Sequence, residues 1–244
     1  ILLERQPFPN NFALCFVIAF GLLIISYIAV GLTRESARQT VITRAEQPPL
    51  LDSIHRIIAR DRNFDWFLIA RAIIQFGVMA FSFYTVYAAT RLHAGEYAVG
   101  VLTSVLLFTQ VVTNPLLGWI ADRWSRKWVL EIGALSIFFS TLIARFAPSI
   151  EWLYPAVILA GLANTASWSV TMAMTLQFGS EDDRPTYVGM ANTLIAPATI
   201  AAPLLGGWLA DAYGYPSTFL LAAAAGLGAA LVFHFLVRDP KKQL

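Results

Sequence analysis

Apolar residues in this chain come in long blocks, each close to twenty positions or more, separated by short polar stretches. The blocks are Phe12–Leu32, Trp66–Thr90, Ala98–Ala121, Trp128–Phe146, Trp152–Met174, Val188–Ala210 and Ser217–Val237. A helix needs about 20 apolar residues to cross a ~30 Å hydrocarbon layer. The pattern therefore predicts an all-α polytopic membrane protein with seven transmembrane helices. The first block is too long for a signal-peptide core and has no basic leader, so it reads as a true span.

The polar stretch between the first two blocks has two parts. Residues 33–49 are polar and end at Pro48 and Pro49, whereas 50–62 put Leu50, Leu51, Ile54, Ile57 and Ile58 on one helical face, with His55, Arg56 and Arg60 elsewhere. Such a face predicts a helix lying on the membrane surface. Three regions result: 1–32 as the last helix of one bundle, 33–65 as a cytoplasmic linker with an interfacial helix, and 66–244 as a six-helix bundle.

Composition agrees: 57% of the residues are hydrophobic and 13% charged, about half the charge of a typical soluble domain. Charge placement then orients the chain. Thirteen Lys/Arg residues fall on one face of the topology, including Arg34, Arg62, Arg123, Arg126, Lys127, Arg184 and Arg238, against three on the other, Arg5, Arg91 and Arg145. Basic loops stay cytoplasmic, so the first residue is expected outside and the last inside, in the cell membrane. The single cysteine, Cys15, excludes an intrachain disulfide. A first residue other than Met reads as a piece of a longer protein.

Gly-Trp-x-Ala-Asp occurs twice, at Gly118–Asp122 and Gly207–Asp211, a shift of 89 residues. Three spans lie between the copies, so the same turn ends the third span on one side and the sixth span on the other. That relation defines two inverted three-helix repeats, a frequent plan in secondary transporters. Arg123, Arg126 and Lys127 follow the inner copy, and the outer copy lacks them, as the positive-inside bias requires. Asp122 and Asp211 are expected just past helix C-termini, where the macrodipole disfavours a carboxylate. The candidate partners of Asp122 are Arg123, Arg126, Arg184 or the N-terminus of another helix.

The stretch GWIADRWSRK resembles the signature loop of the major facilitator superfamily, with Gly118, Asp122, Arg123, Arg126 and Lys127 at matching positions. Ser125 stands where the family prefers glycine. The resemblance covers nearly the whole chain: the last helix of a first half, the central loop and the second half. It implies alternating access by two rocking bundles, with the Asp122 cluster as a cytoplasmic latch. It also implies a missing five-helix part of the same protein.

The polar residues within the spans are unevenly spread. The second span holds Arg71, Gln75 and Tyr84, the third Gln110 and Asn114, the fifth Asn164 and Trp168, and the sixth Asn192. The fourth and seventh contain no Asn or Gln. Amides are costly in hydrocarbon unless they face protein or water, so these four spans are expected to line a substrate cavity. Arg71 has two readings: snorkelling to the headgroups, or facing inward to attract an anion. Pro115, Pro197 and Pro203 are expected to permit bends.

Motifs for hydrolases, metalloproteases and phosphate loops are missing from the sequence, and three histidines with one cysteine point to no metal. The reading is thus not an enzyme, with no cofactor. Its expected partners are a small-molecule substrate and the bilayer, and no nucleic acid. The function expected is secondary-active transport of a small solute. The alternative is a receptor or scaffold of transporter ancestry that moves nothing.

Overall fold

The computed structural model describes residues 10–32, 61–179 and 183–239. The surface helix expected over 50–62 lies almost wholly outside them. Helix α1, Asn10–Gly31, belongs to one compact unit, Ile1–Gln47, and everything from Arg62 onward to a second, Pro48–Leu244. Large apolar side chains are exposed all round α1, among them Phe16, Phe20, Ile25 and Tyr27. A helix apolar on every face belongs in a bilayer or a protein interior.

In the second unit, α2 (Arg62–Val78) and α3 (Phe81–Thr90) make one interrupted span. Then come α4 (Glu96–Arg123) and α5 (Arg126–Arg145). The next span is composite: a 3₁₀ turn (Ile150–Trp152), α6 (Leu153–Thr165), a π turn (Ala166–Val170) and α7 (Thr171–Thr175). Finally come α8 (Arg184–Tyr213) and α9 (Tyr215–Phe235). All six spans are long and apolar enough to cross a membrane, and α1 adds a seventh apolar helix.

The boundaries have local causes. The Asp61 carboxylate accepts from the Phe64 amide at 3.0 Å and caps α2, and the Ser125 hydroxyl accepts from the Trp128 amide at 3.4 Å and caps α5. Pro185 and Pro216 occupy the first turns of α8 and α9, where a missing N–H costs nothing. Between those two helices stands Gly214 at φ 83°, a conformation that side-chain-bearing residues rarely adopt.

The sequence repeat is also a structural one. Shifting 96–123 (α4) by 89 gives 185–212, against an observed Arg184–Tyr213, and shifting 126–145 (α5) gives 215–234, against Tyr215–Phe235. The break at residues 79 and 80 maps to 168 and 169, inside the π turn. Both leading spans are therefore interrupted at the same place. Around the first break, the Met79 amide donates to Gln75 O at 3.1 Å and the Ala80 amide to Gly77 O at 3.3 Å. Neither break holds a proline. Conversely, α4 and α8 run straight through Pro115, Pro197 and Pro203. Each of these prolines lies on an exposed face, where losing one amide donor does not stop the helix.

Small residues bring the helices together, as in other membrane bundles. Ile137 of α5 is wedged between Gly77 of α2 and Gly226 of α9, so that a Cβ at either glycine would meet Ile137 Cγ2 at 2.7 or 3.0 Å. Gly133 faces Ala166, and Gly161 faces Thr109 of α4. Hydroxyls within the bundle are satisfied by the carbonyl one turn back, as at Ser136, Thr141, Thr165 and Thr175. Helices α4 and α8 stand apart: only 11% and 22% of their apolar windows are buried, against 39–50% in the other four spans. Most of their surface is free for lipid or for further protein.

Candidate functional site

The two copies of the repeated turn lie at opposite ends of the bundle, and their chemistry differs. At the basic end, Asp122 falls in the last turn of α4, and Asp211 likewise in the last turn of α8. This corrects the expectation that both acids follow the helix end. The Asp122 carboxylate accepts from Arg126 Nη2 at 3.0 Å. Arg126 Nη1 donates at 2.9 Å to the Ala173 carbonyl in α7, one of the last carbonyls of a helix, which have no intrahelical donor. One guanidinium thus ties the acid of the first repeat to the end of the second repeat's leading span. A cation near a helix C-terminus is also favoured by the macrodipole.

The neighbours are engaged as well. Lys127 Nζ donates to the His234 carbonyl at 2.8 Å and pairs with Glu131 at 3.5 Å. Arg123 stacks 5.8 Å from the Trp119 ring. Gly118 lies half-buried in α4, and Arg184 opens α8. At the other end, the position equivalent to Arg126 is Tyr215, which packs edge-on against Tyr87 at 6.0 Å and near Phe83 at 6.2 Å. Asp211 is exposed, with no hydrogen bond or ion pair among the described residues. The ionic turn of one end is an aromatic turn at the other.

The membrane-depth residues divide three ways. Tyr84 leaves the cavity set: it is buried, its hydroxyl 2.6 Å from Ser140 Oγ, which in turn donates to Ala156 O at 2.7 Å. This chain pins α3 to α5 and α6, so Tyr84 is a packing residue. We expect Tyr84→Phe to lower bundle stability by about 1–2 kcal/mol, by stranding the Ser140 contact, without changing solute affinity. Thermal unfolding beside a binding isotherm checks this; an affinity change at constant stability would contradict it. Arg71 is half-buried, its Cζ 5.7 Å from the Phe67 ring and Nη1 3.5 Å from Thr175 Oγ1. Phe67 lies one turn nearer the basic end and Thr175 closes α7 there, so the guanidinium leans away from Gln75.

The third group is the amides. Gln75, Gln110 and Asn164 are half-buried, and Asn114 and Asn192 are exposed. None of the five makes a side-chain hydrogen bond among the described residues. Gln75 and Asn164 are repeat-equivalent, 89 apart, each one turn ahead of its helix break. Trp168, in the π turn itself, is 73% exposed. Thr113 of α4, one of the polar residues of the third span with Gln110 and Asn114, joins Thr165 of α6 through hydroxyls 3.0 Å apart. Each hydroxyl also bonds a carbonyl of its own helix one turn back.

Paired broken helices, an inverted repeat, and unbonded amides on four of the six spans define the class: a multi-pass, all-α membrane bundle of transporter architecture. A profile of the Major Facilitator Superfamily matches residues 67–244. The chain belongs to that superfamily. It is 27% identical over 151 residues to "Multidrug resistance protein 1" of Bacillus subtilis, covering 62% of this chain and 39% of that protein. It is 33% identical over 138 residues to the human vesicular acetylcholine transporter, covering 56% of this chain and 26% of that protein. With the class B tetracycline resistance protein of Escherichia coli it shares 27% over 142 residues, 58% of this chain and 35% of that one. The chain thus matches well under half the length of these curated relatives. Its fold overlays that of the superfamily transporter FucP, solved in the outward conformation, with a TM-score of 0.73 at 16% identity, over 98% of this chain and 60% of that one.

Proposed function

We propose that this chain is the second six-helix half, with the helix before it, of a transporter that moves a small, partly polar organic solute by alternating access. The observation that carries the proposal is the set of five unbonded amides on α2, α4, α6 and α8. An amide at membrane depth without a partner in its own bundle must meet water, solute or another protein segment. The break one turn after Gln75 and after Asn164 adds a place where each leading span can bend. Relatives named for drug resistance, tetracycline resistance and acetylcholine support an organic solute. Placing the basic end, with Arg62, Arg123, Arg126, Lys127, Arg184 and Arg238, in the cytoplasm follows the positive-inside bias.

The test is flux of candidate organic solutes through the full-length protein in proteoliposomes. Gln75→Ala and Asn164→Ala should each raise KM about 3–10-fold, the scale of one hydrogen bond, with the amount of folded protein unchanged. Binding retained with no flux would favour a receptor or scaffold. Unchanged KM in both variants would remove the amide pair from the solute path.

A further inference from the structure

The signature turn is held by the segment that follows α9. Past α9 the chain leaves the helix and folds beneath the bundle, with Val237 only 1% and Asp239 only 9% exposed. Two anchors fix it. Arg238 N donates to Asn63 Oδ1 at 2.7 Å while Asn63 Nδ2 donates to Arg238 O at 2.9 Å, a reciprocal pair across 175 residues. One residue on, the Ser125 hydroxyl donates to Asp239 Oδ2, again in a buried contact. Ser125 thereby uses its lone pair to cap α5 and its proton to hold the segment. Asp239 sits at the N-terminal end of α5, where the helix favours an anion. Lys127, reaching the His234 carbonyl, adds a third tie between turn and α9.

Ser125 also stands where the second copy of the repeat has glycine, Gly214. Its φ of −166° is extended backbone, so no glycine is required there; the repeat-equivalent position, Gly214 at φ 83°, does require one. A hydroxyl at 125 therefore adds a grip that glycine cannot supply, and Asp239 receives it.

We propose that Leu236–Asp239 is a strap that positions the signature turn, with Asp239 and Ser125 as its clasp. The inference rests on the transport reading. With the strap closed, the α4–α5 turn is bound to the start of α2 and the end of α9. It then moves with its own bundle, so the Asp122–Arg126 pair is presented in one orientation whenever the bundles rock. Opening the clasp lets the turn move separately. The conformational step slows, while a solute bound at membrane depth is held as before.

The test uses the full-length protein in lipid nanodiscs and proteoliposomes, comparing Asp239→Ala, Ser125→Gly and the double variant with wild type. Ser125→Gly is chosen because glycine loses only a few tenths of a kcal/mol as an N-cap, so the variant is expected to fold. Amide exchange at Trp128–Leu130 should rise about tenfold in each single variant, kcat should fall about 3–10-fold, and KM should stay within about twofold. The double variant should lose less than the product of the two single losses, because both variants remove the Ser125–Asp239 contact. A residue of structural importance alone would lower yield and melting temperature without separating kcat from KM. The proposal is overturned if exchange at the turn is unchanged, if kcat per folded molecule is unchanged, or if the losses multiply in the double variant. Absence of wild-type flux would remove the transport reading and the strap's role with it, an outcome distinct from a strap variant that behaves as wild type.

Discussion

Replacing Asp122 with Asn should slow transport turnover about tenfold or more, while solute affinity and the amount of folded protein stay near wild type. The reasoning compares two energies. The Asp122–Arg126 pair is 3.0 Å long, but the Asp122 side chain is 71% exposed. An exposed pair contributes about 0–1 kcal/mol to stability, so losing its charge barely touches folding. A tenfold rate change corresponds to about 1.4 kcal/mol, more than the pair supplies at rest. An effect of that size would mean that the contacts of the carboxylate are stronger in another state of the cycle than in this one. A ligand- or state-dependent contact can shift an equilibrium only by its difference between states. Initial-rate flux and equilibrium binding, both normalised to monodisperse protein, decide the matter. Turnover within twofold of wild type would reduce the turn to a positive-inside anchor.

The second large effect is structural. Gly226→Val should prevent the bundle from assembling. A Cβ at Gly226 would lie 2.8 Å from the Phe138 nitrogen, 3.0 Å from the Ala134 carbonyl oxygen and 3.0 Å from Ile137 Cγ2. Two of these are backbone atoms of α5, which cannot rotate away. Overpacking commonly costs about 1–3 kcal/mol, and valine adds two methyls beyond the first clash. The helices would have to separate, opening the seam that also holds Gly77 and Ile137. Gly228, two residues on, is the internal control: its nearest neighbour would be Ile73 Cγ2 at 3.9 Å, ordinary contact. Gly228→Ala should therefore yield folded protein at wild-type levels. Size-exclusion profiles of the two variants separate the cases, and a monodisperse Gly226→Val would show that the seam is looser than drawn.

Much of the architecture was legible without coordinates, for a physical reason. In a bilayer the backbone must satisfy itself within each segment, so a span is a local decision, written in some twenty consecutive residues. The observed spans end within a few residues of those read from hydropathy. The 89-residue repeat was visible in five letters because both copies close the same kind of turn. The uneven distribution of amides was visible too, since a costly group in hydrocarbon stands out in any sequence. The helix breaks are of another kind. The interruptions at Met79 and Trp168 carry no proline, whereas the helices continue through Pro115, Pro197 and Pro203.

What the sequence by itself determined was the set of membrane segments, their inverted pairing and the candidate chemistry of the signature turn, all properties of short windows read against one solvent. Only the tertiary structure decided which polar group meets which. Tyr84 looked like a cavity residue and instead closes a buried hydroxyl chain with Ser140. Arg71 leans toward Thr175 instead of Gln75. Ser125 finds Asp239 across 114 residues. Hydrogen bonds reach about 3 Å and depend on direction, so their partners follow from how packed helices are rotated and spaced, and no window of local sequence encodes that.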